Sequence, residues 1–140
     1  MNELTKMEKT IMEMFLHGEH PLLENLRHQL SQCRIVKREF TGVGFFTDFE
    51  VDARLAYGKV NLELSDVHTE FDDVKSGIGF VLFIRDGLLS MLEGYTYGTE
   101  SYPENASQLA LYYAWNPGDV PQIRKERNWN GLFDRLHRYL

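Results

Sequence analysis

Apolar positions recur at helical spacing through the first 33 residues and then switch to alternation. In ELTKMEKTIMEMFL, Leu4, Met7, Ile11 and Met14 fall at steps of three and four, the signature of an amphipathic helix. Gly18 ends that helix. Pro21 suits the first turn of a second one, PLLENLRHQLSQC, whose stripe is Leu22, Leu23, Leu26, Leu30 and Cys33. Both stripes read as core packing, with the methionines as gap-fillers rather than a cofactor box.

From Arg34 the period becomes two. RIVKREF and FFTDFEV flank TGVG as a hairpin. Phe45, Thr47, Phe49 and Val51 share one face of its second strand, and Phe46, Asp48 and Glu50 share the other. KVNLELSDV groups Val60, Leu62 and Leu64 against Asn61 and Glu63. GFVLFIRDGLLSMLEGYTYG is a second hairpin, with Asp86-Gly87 supplying the positive φ angles of a type I′ turn. QLALYYAW reads as a last strand closed by NPGD. In NWNGLFDRLHRYL, residues Trp129, Leu132, Phe133, Leu136 and Leu140 mark a terminal amphipathic helix. Strands clustered between helices predict one α+β domain over residues 1–140. It has two N-terminal helices, a mainly antiparallel sheet of about five to six strands and a C-terminal amphipathic helix.

A two-residue turn places Arg85 opposite Leu88 and, in unbroken register, Phe80 opposite Glu93 and Ile78 opposite Tyr95. Glu93 is then the one charge on a face with Phe80, Leu82, Ile84, Leu89, Met91, Tyr95 and Tyr97. A buried carboxylate needs a donor, water or a proton. The register predicts a structural Glu93, paired with a tyrosine hydroxyl or a backbone donor. The competing reading is an acid facing a polar cavity bordered by Tyr95 and Tyr97. Gly79 and Gly94 are expected to face one another and dent the sheet, with an aromatic ring filling the dent or a ligand approaching it. Glu93, Tyr95, Tyr97, Gly79 and Gly94 are thus the candidate binding residues. Both faces of this hairpin are apolar, which predicts a central position with both sides covered, the C-terminal helix covering part of the second side.

Charge adds a direction. The formal net charge is −6, and residues 39–104 carry 13 acids against 4 bases. An acidic body disfavours nucleic acid, whose affinity comes largely from counterion release. The longest apolar run, IGFVLFI, is too short to span a bilayer, and the N-terminus lacks a secretory pattern, so a cytoplasmic protein is expected. The single cysteine, Cys33, excludes an intramolecular disulfide.

Recognisable chemistry is sparse. His17 and His20 form H-x-x-H, but Gly18 and Pro21 interrupt the helix a metal face requires, so no metal ligand is assigned. TEFDDVKSG lacks the alternating ligands of a calcium loop and reads as a solvated acidic loop. TGVG and KSGIG match no phosphate-binding loop, and no nucleophile elbow is present. No catalytic residue and no cofactor are assigned.

TGVGFFTDFEV, GFVLFIRDG and LLSMLEGYTYG together resemble a group of small uncharacterised bacterial proteins. These carry a G-V-G-F-F-T segment followed by an apolar hairpin ending in L-E-x-Y-x-Y. The resemblance implies a shared α+β fold and supplies no activity.

The expected function is a non-enzymatic binding protein, immunity- or inhibitor-like, meeting a basic protein partner through its acidic surface. The alternative is a small-molecule binder or enzyme using a cavity near Glu93, Tyr95 and Tyr97. Exposed apolar area also predicts self-association as a homodimer.

Overall fold

The Asp86-Gly87 turn forms as its sequence demands, with φ of 53° and 75°. Around it, the computed structural model describes residues 3–71, 74–98, 100–103, 110–115 and 126–139. Residues 108–109 of the expected last strand, its NPGD turn, Asp72 and Asp73 of the acidic loop, and Leu140 lie outside them.

Helices α1 (Lys6–Phe15) and α2 (Pro21–Gln32) precede strands β1 (Arg34–Phe40), β2 (Gly44–Glu50), β3 (Leu62–Phe71), β4 (Val74–Arg85), β5 (Leu88–Thr96) and β6 (Ala110–Tyr113). Helix α3 (Trp129–Tyr139) follows. The strands form one antiparallel sheet in the order β1-β2-β5-β4-β3-β6, so the β4–β5 hairpin is central, as expected. The α+β architecture read from the sequence is the observed one. No described helix is long and apolar enough to cross a membrane.

Thr5 and Glu8 cap α1 reciprocally. The Glu8 amide donates to Thr5 Oγ1 at 3.1 Å, and the Thr5 amide donates to Glu8 Oε1 at 2.7 Å. The buried stripe of α1 is Glu8, Ile11, Met12 and Phe15, rotated from the expected one so that Met7 and Met14 lie at its margin. Pro21 opens α2, which buries Leu22, Leu23, Leu26 and Gln29. These residues cover Leu62, Leu64, Val67, Ile78, Phe80, Leu82, Ile84 and Leu92 on one sheet face.

Helix α3 joins the same layer. Its Trp129 ring lies 5.7 Å from His17, and its Phe133 ring lies 6.2 Å from His20. The second face of the central hairpin therefore carries none of the three described helices. This corrects the expectation that the C-terminal helix covers part of that face.

Gln29 ties the helical layer to the hairpin. Its Nε2 donates to the Gly87 carbonyl at 2.8 Å, and its Oε1 accepts from the Leu89 amide at 2.9 Å. The last β2–β5 pair is Asp48 with Met91, so the Leu89 amide lies beyond the reach of β2. Gln29→Ala leaves the buried Leu89 amide unmet and removes one of the donors to the Gly87 carbonyl, which keeps the Tyr57 amide at 2.9 Å, at an expected cost of about 1–3 kcal/mol. Urea unfolding measures that cost. Faster hydrogen exchange at Leu89 than elsewhere in β5 assigns it to this contact.

Candidate functional site

One extra residue decides what the central hairpin displays. Arg85 opposes Leu88 and Ile84 opposes Leu89, but Phe83 opposes Met91, leaving Ser90 as a bulge. Beyond it every β5 side chain changes face relative to unbroken alternation. Glu93 opposes Val81 rather than Phe80, and Tyr95 opposes Gly79 rather than Ile78. Leu92 takes the core position opposite Leu82 that unbroken register gives to Met91, and Gly94 takes the one opposite Phe80 that it gives to Glu93. Glu93 thus belongs to the outer face, away from the helices.

On its other side Glu93 pairs with Phe46 of β2, and Met91 pairs with Asp48. Phe46, Asp48, Val81, Phe83, Met91, Glu93 and Tyr95 are all half-buried. The Ser90 bulge borders a shallow depression of about 510 Å³, also lined by Val36, Asp48, Phe83, Arg85 and Met91. Arg85 is held by Glu63 at 2.7 Å.

Glu93 has no hydrogen bond or ion pair among the described residues. Burial between Phe46 and Val81 raises its carboxyl above the ordinary value. The expected tyrosine partner is engaged elsewhere. The Tyr97 hydroxyl meets His68 Nδ1, and His68 Nε2 lies 2.5 Å from the Ala114 carbonyl. A carbonyl only accepts, so Nε2 carries the proton and Nδ1 accepts from Tyr97. Burial lowers the His68 pKa and pushes the Tyr97 hydroxyl well above the usual phenol range. The His68 ring stacks on Tyr112 at 5.7 Å, and Tyr97 meets Tyr95 edge-on at 5.4 Å. Burial, and then the Glu93 charge, raises the Tyr95 hydroxyl. These contacts make a continuous aromatic block beside Glu93.

Gly79 and Gly94 do not face one another. Gly79 opposes Tyr95, and Gly94 opposes Phe80. A ring covers each, as one reading of the dent anticipated. A side chain at Gly79 would come within 2.8 Å of Tyr97 Cε1, and one at Gly94 within 2.9 Å of Phe45 Cδ1. Glu93, Tyr95, Tyr97 and Gly79 therefore share the outer face, whereas Gly94 belongs to the core. His68, Tyr112, Asp48 and Phe46 complete the outer face. Alternation in FFTDFEV had paired Phe46 with Asp48, but His68 and Tyr112 carried no motif. His20 caps α2, its Nδ1 accepting from the Leu22 amide at 3.1 Å. Among the described residues no cluster of His, Cys, Asp and Glu is arranged to hold a metal ion.

Comparison with protein-family models, curated proteins and solved structures finds no match to this chain.

Proposed function

We propose that this protein is a non-enzymatic binding protein whose outer sheet face docks a basic protein partner. One observation carries the reading. Glu93 is a partly desolvated carboxylate, unpaired among the described residues, in the middle of an apolar and aromatic face that no described helix covers. Its charge lacks full hydration and has no counter-ion among the described residues. An arginine or lysine of the partner supplies the counter-ion, while Phe46, Met91 and Tyr95 accept its alkyl stem. Asp48, across from Met91, adds a second carboxylate with no ion pair among the described residues. The chain's net charge of −6 steers the encounter in the same direction.

The test uses Glu93→Gln and Glu93→Lys. A carboxyl raised in the folded state favours folding at low pH, and that contribution fades as pH rises above the ordinary 4.5 through the folded value. Glu93→Gln should therefore match wild-type stability near pH 4 and equal or slightly exceed it at pH 7. Binding should change far more. A basic protein retained by wild type from the native host extract, then purified, should bind Glu93→Gln about tenfold more weakly and Glu93→Lys not measurably by calorimetry. Equal affinity for all three chains, or retention of no basic protein at low salt, refutes the reading. Loss of stability in Glu93→Gln restores the structural role that unbroken register predicted.

A further inference from the structure

A separate hollow lies in the helical layer, on the opposite side of the sheet from Glu93. It measures about 810 Å³, within the range of small-molecule sites. Leu16, Leu30, Trp129 and Phe133 supply its apolar lining, and Glu13, His17, Glu19 and Arg27 supply the polar groups. We propose that this groove between α1, α2 and α3 binds a small organic cation with an aromatic or alkyl body.

The aromatic lining is built into the fold. Trp129 and Phe133 stack with centroids 6.2 Å apart and planes 27° apart, and His17 lies beside Trp129. Gly18 has φ of 141°, and a side chain there would come within 2.7 Å of the Trp129 ring. The turn between α1 and α2 therefore makes room for that ring. An indole face is the best aromatic surface for a cation.

The sign of the ligand follows from the balance of charges on the lining, two carboxylates against one guanidinium. One Arg27 guanidinium nitrogen donates to the Leu16 carbonyl at 2.5 Å and to the Gly18 carbonyl at 2.8 Å. The guanidinium keeps its charge there, partly offset by the negative end of the α1 dipole. Glu13 and Glu19 are exposed and have no hydrogen bond or ion pair among the described residues. Two free carboxylates beside an indole surface attract an ammonium or guanidinium group and repel a carboxylate or phosphate. The apolar lining takes the ligand's body, and the acids take its head.

Three probes with one shared body separate charge from apolar fit: phenylbutyl-trimethylammonium, phenylbutanol and phenylbutyrate. Each is titrated into the full chain, and the Trp129 indole N–H resonance is followed by NMR with Trp115 as the internal reference. The cation should bind about tenfold more tightly than the alcohol, and the anion more weakly than either. A Glu13→Gln/Glu19→Gln double variant should bring the cation to the alcohol's affinity without changing the thermal midpoint, since both acids are exposed. Trp129→Leu should weaken all three probes. Equal affinities mean an apolar groove without selection for charge and overturn the proposal. So does preference for the anion, no shift at Trp129 up to about 5 mM probe, or a double variant that still favours the cation.

Discussion

Arg127→Met is expected to destabilise the protein by about 3–5 kcal/mol, the cost of stranding a buried charge. Arg127 and Asp66 are buried, with side chains 0% and 1% exposed. The guanidinium grips the carboxylate through two nitrogens, Nε at 2.7 Å and Nη2 at 3.0 Å. Its remaining nitrogen donates to the Phe15 carbonyl at 2.7 Å and the His17 carbonyl at 3.0 Å. Removing it leaves the Asp66 carboxylate and the Phe15 carbonyl unmet and away from water, and takes a donor from the part-buried His17 carbonyl. Arg127→Lys keeps the charge but not the fork, so it should recover less than half of the loss. The double variant Asp66→Leu/Arg127→Met should be clearly more stable than Arg127→Met alone, because an apolar pair leaves no charge uncompensated. Urea unfolding of the single and double variants measures the coupling. A loss below about 1 kcal/mol for Arg127→Met would show that the pair is not sealed from water.

Arg127 also explains how the distant C-terminal helix reaches its place. Its guanidinium lies over the Tyr113 ring at 5.5 Å, while Tyr113 donates its hydroxyl to the Met14 carbonyl at 2.7 Å. One side chain thereby connects β3, β6 and the end of α1 two residues before α3 begins. Trp129 and Phe133 are delivered to the α1–α2 turn by that connection. Nothing in the sequence announces it. Asp66 and Arg127 are 61 positions apart, and Asp66 sits at the β3 irregularity between Leu64 and Val67.

What was legible in the sequence is what local chemistry dictates. Asp86-Gly87 specified its turn, Pro21 the start of α2, and the alternation in FFTDFEV the two faces of β2. What was not legible is where a strand breaks its own period. In LLSMLEGYTYG both strand faces are apolar, with Met91 and Leu92 adjacent, so the pattern does not fix the register, and the bulge at Ser90 belongs to its surroundings: Gln29 holds the Leu89 amide, and Met91 resumes pairing with Asp48. That single extra residue moved Glu93 from the core face to the outer face. With it went the predicted tyrosine bond, since Tyr97 pairs with His68 of a strand two places away from β5. Glu93, Tyr95 and Tyr97 still share a face, but it is the opposite one, because register is a tertiary property.

Glu8 offers the second large effect, and one with a pH signature. It is a buried acid within the apolar stripe of α1, the position that periodicity alone assigns to a hydrophobic side chain. Its carboxylate accepts from Thr47 Oγ1 at 2.6 Å and from Arg38 Nη2 at 2.6 Å, besides capping α1 through Thr5. Burial alone would raise its pKa. The hydrogen bonds from Arg38, Thr47 and Thr5, with the Arg38 charge, outweigh burial and hold it below the ordinary 4.5. A carboxyl depressed in the folded state adds stability that is complete above its unfolded value and is lost as pH falls through the folded value. Glu8→Ala should therefore cost about 3 kcal/mol near pH 7, since it removes a cap, a charge-assisted network and a carboxylate partner of the half-buried Arg38. Glu8→Gln keeps the capping geometry but not the charge and should cost about half as much. The gap between wild type and Glu8→Gln should narrow as pH drops below 4.5, because wild type loses the same charge by protonation. Urea unfolding of both chains from pH 7 down to about pH 3 provides the comparison. A gap that stays constant over that range would mean that Glu8 acts through shape and capping alone, not as the anion that Arg38 and Thr47 hold.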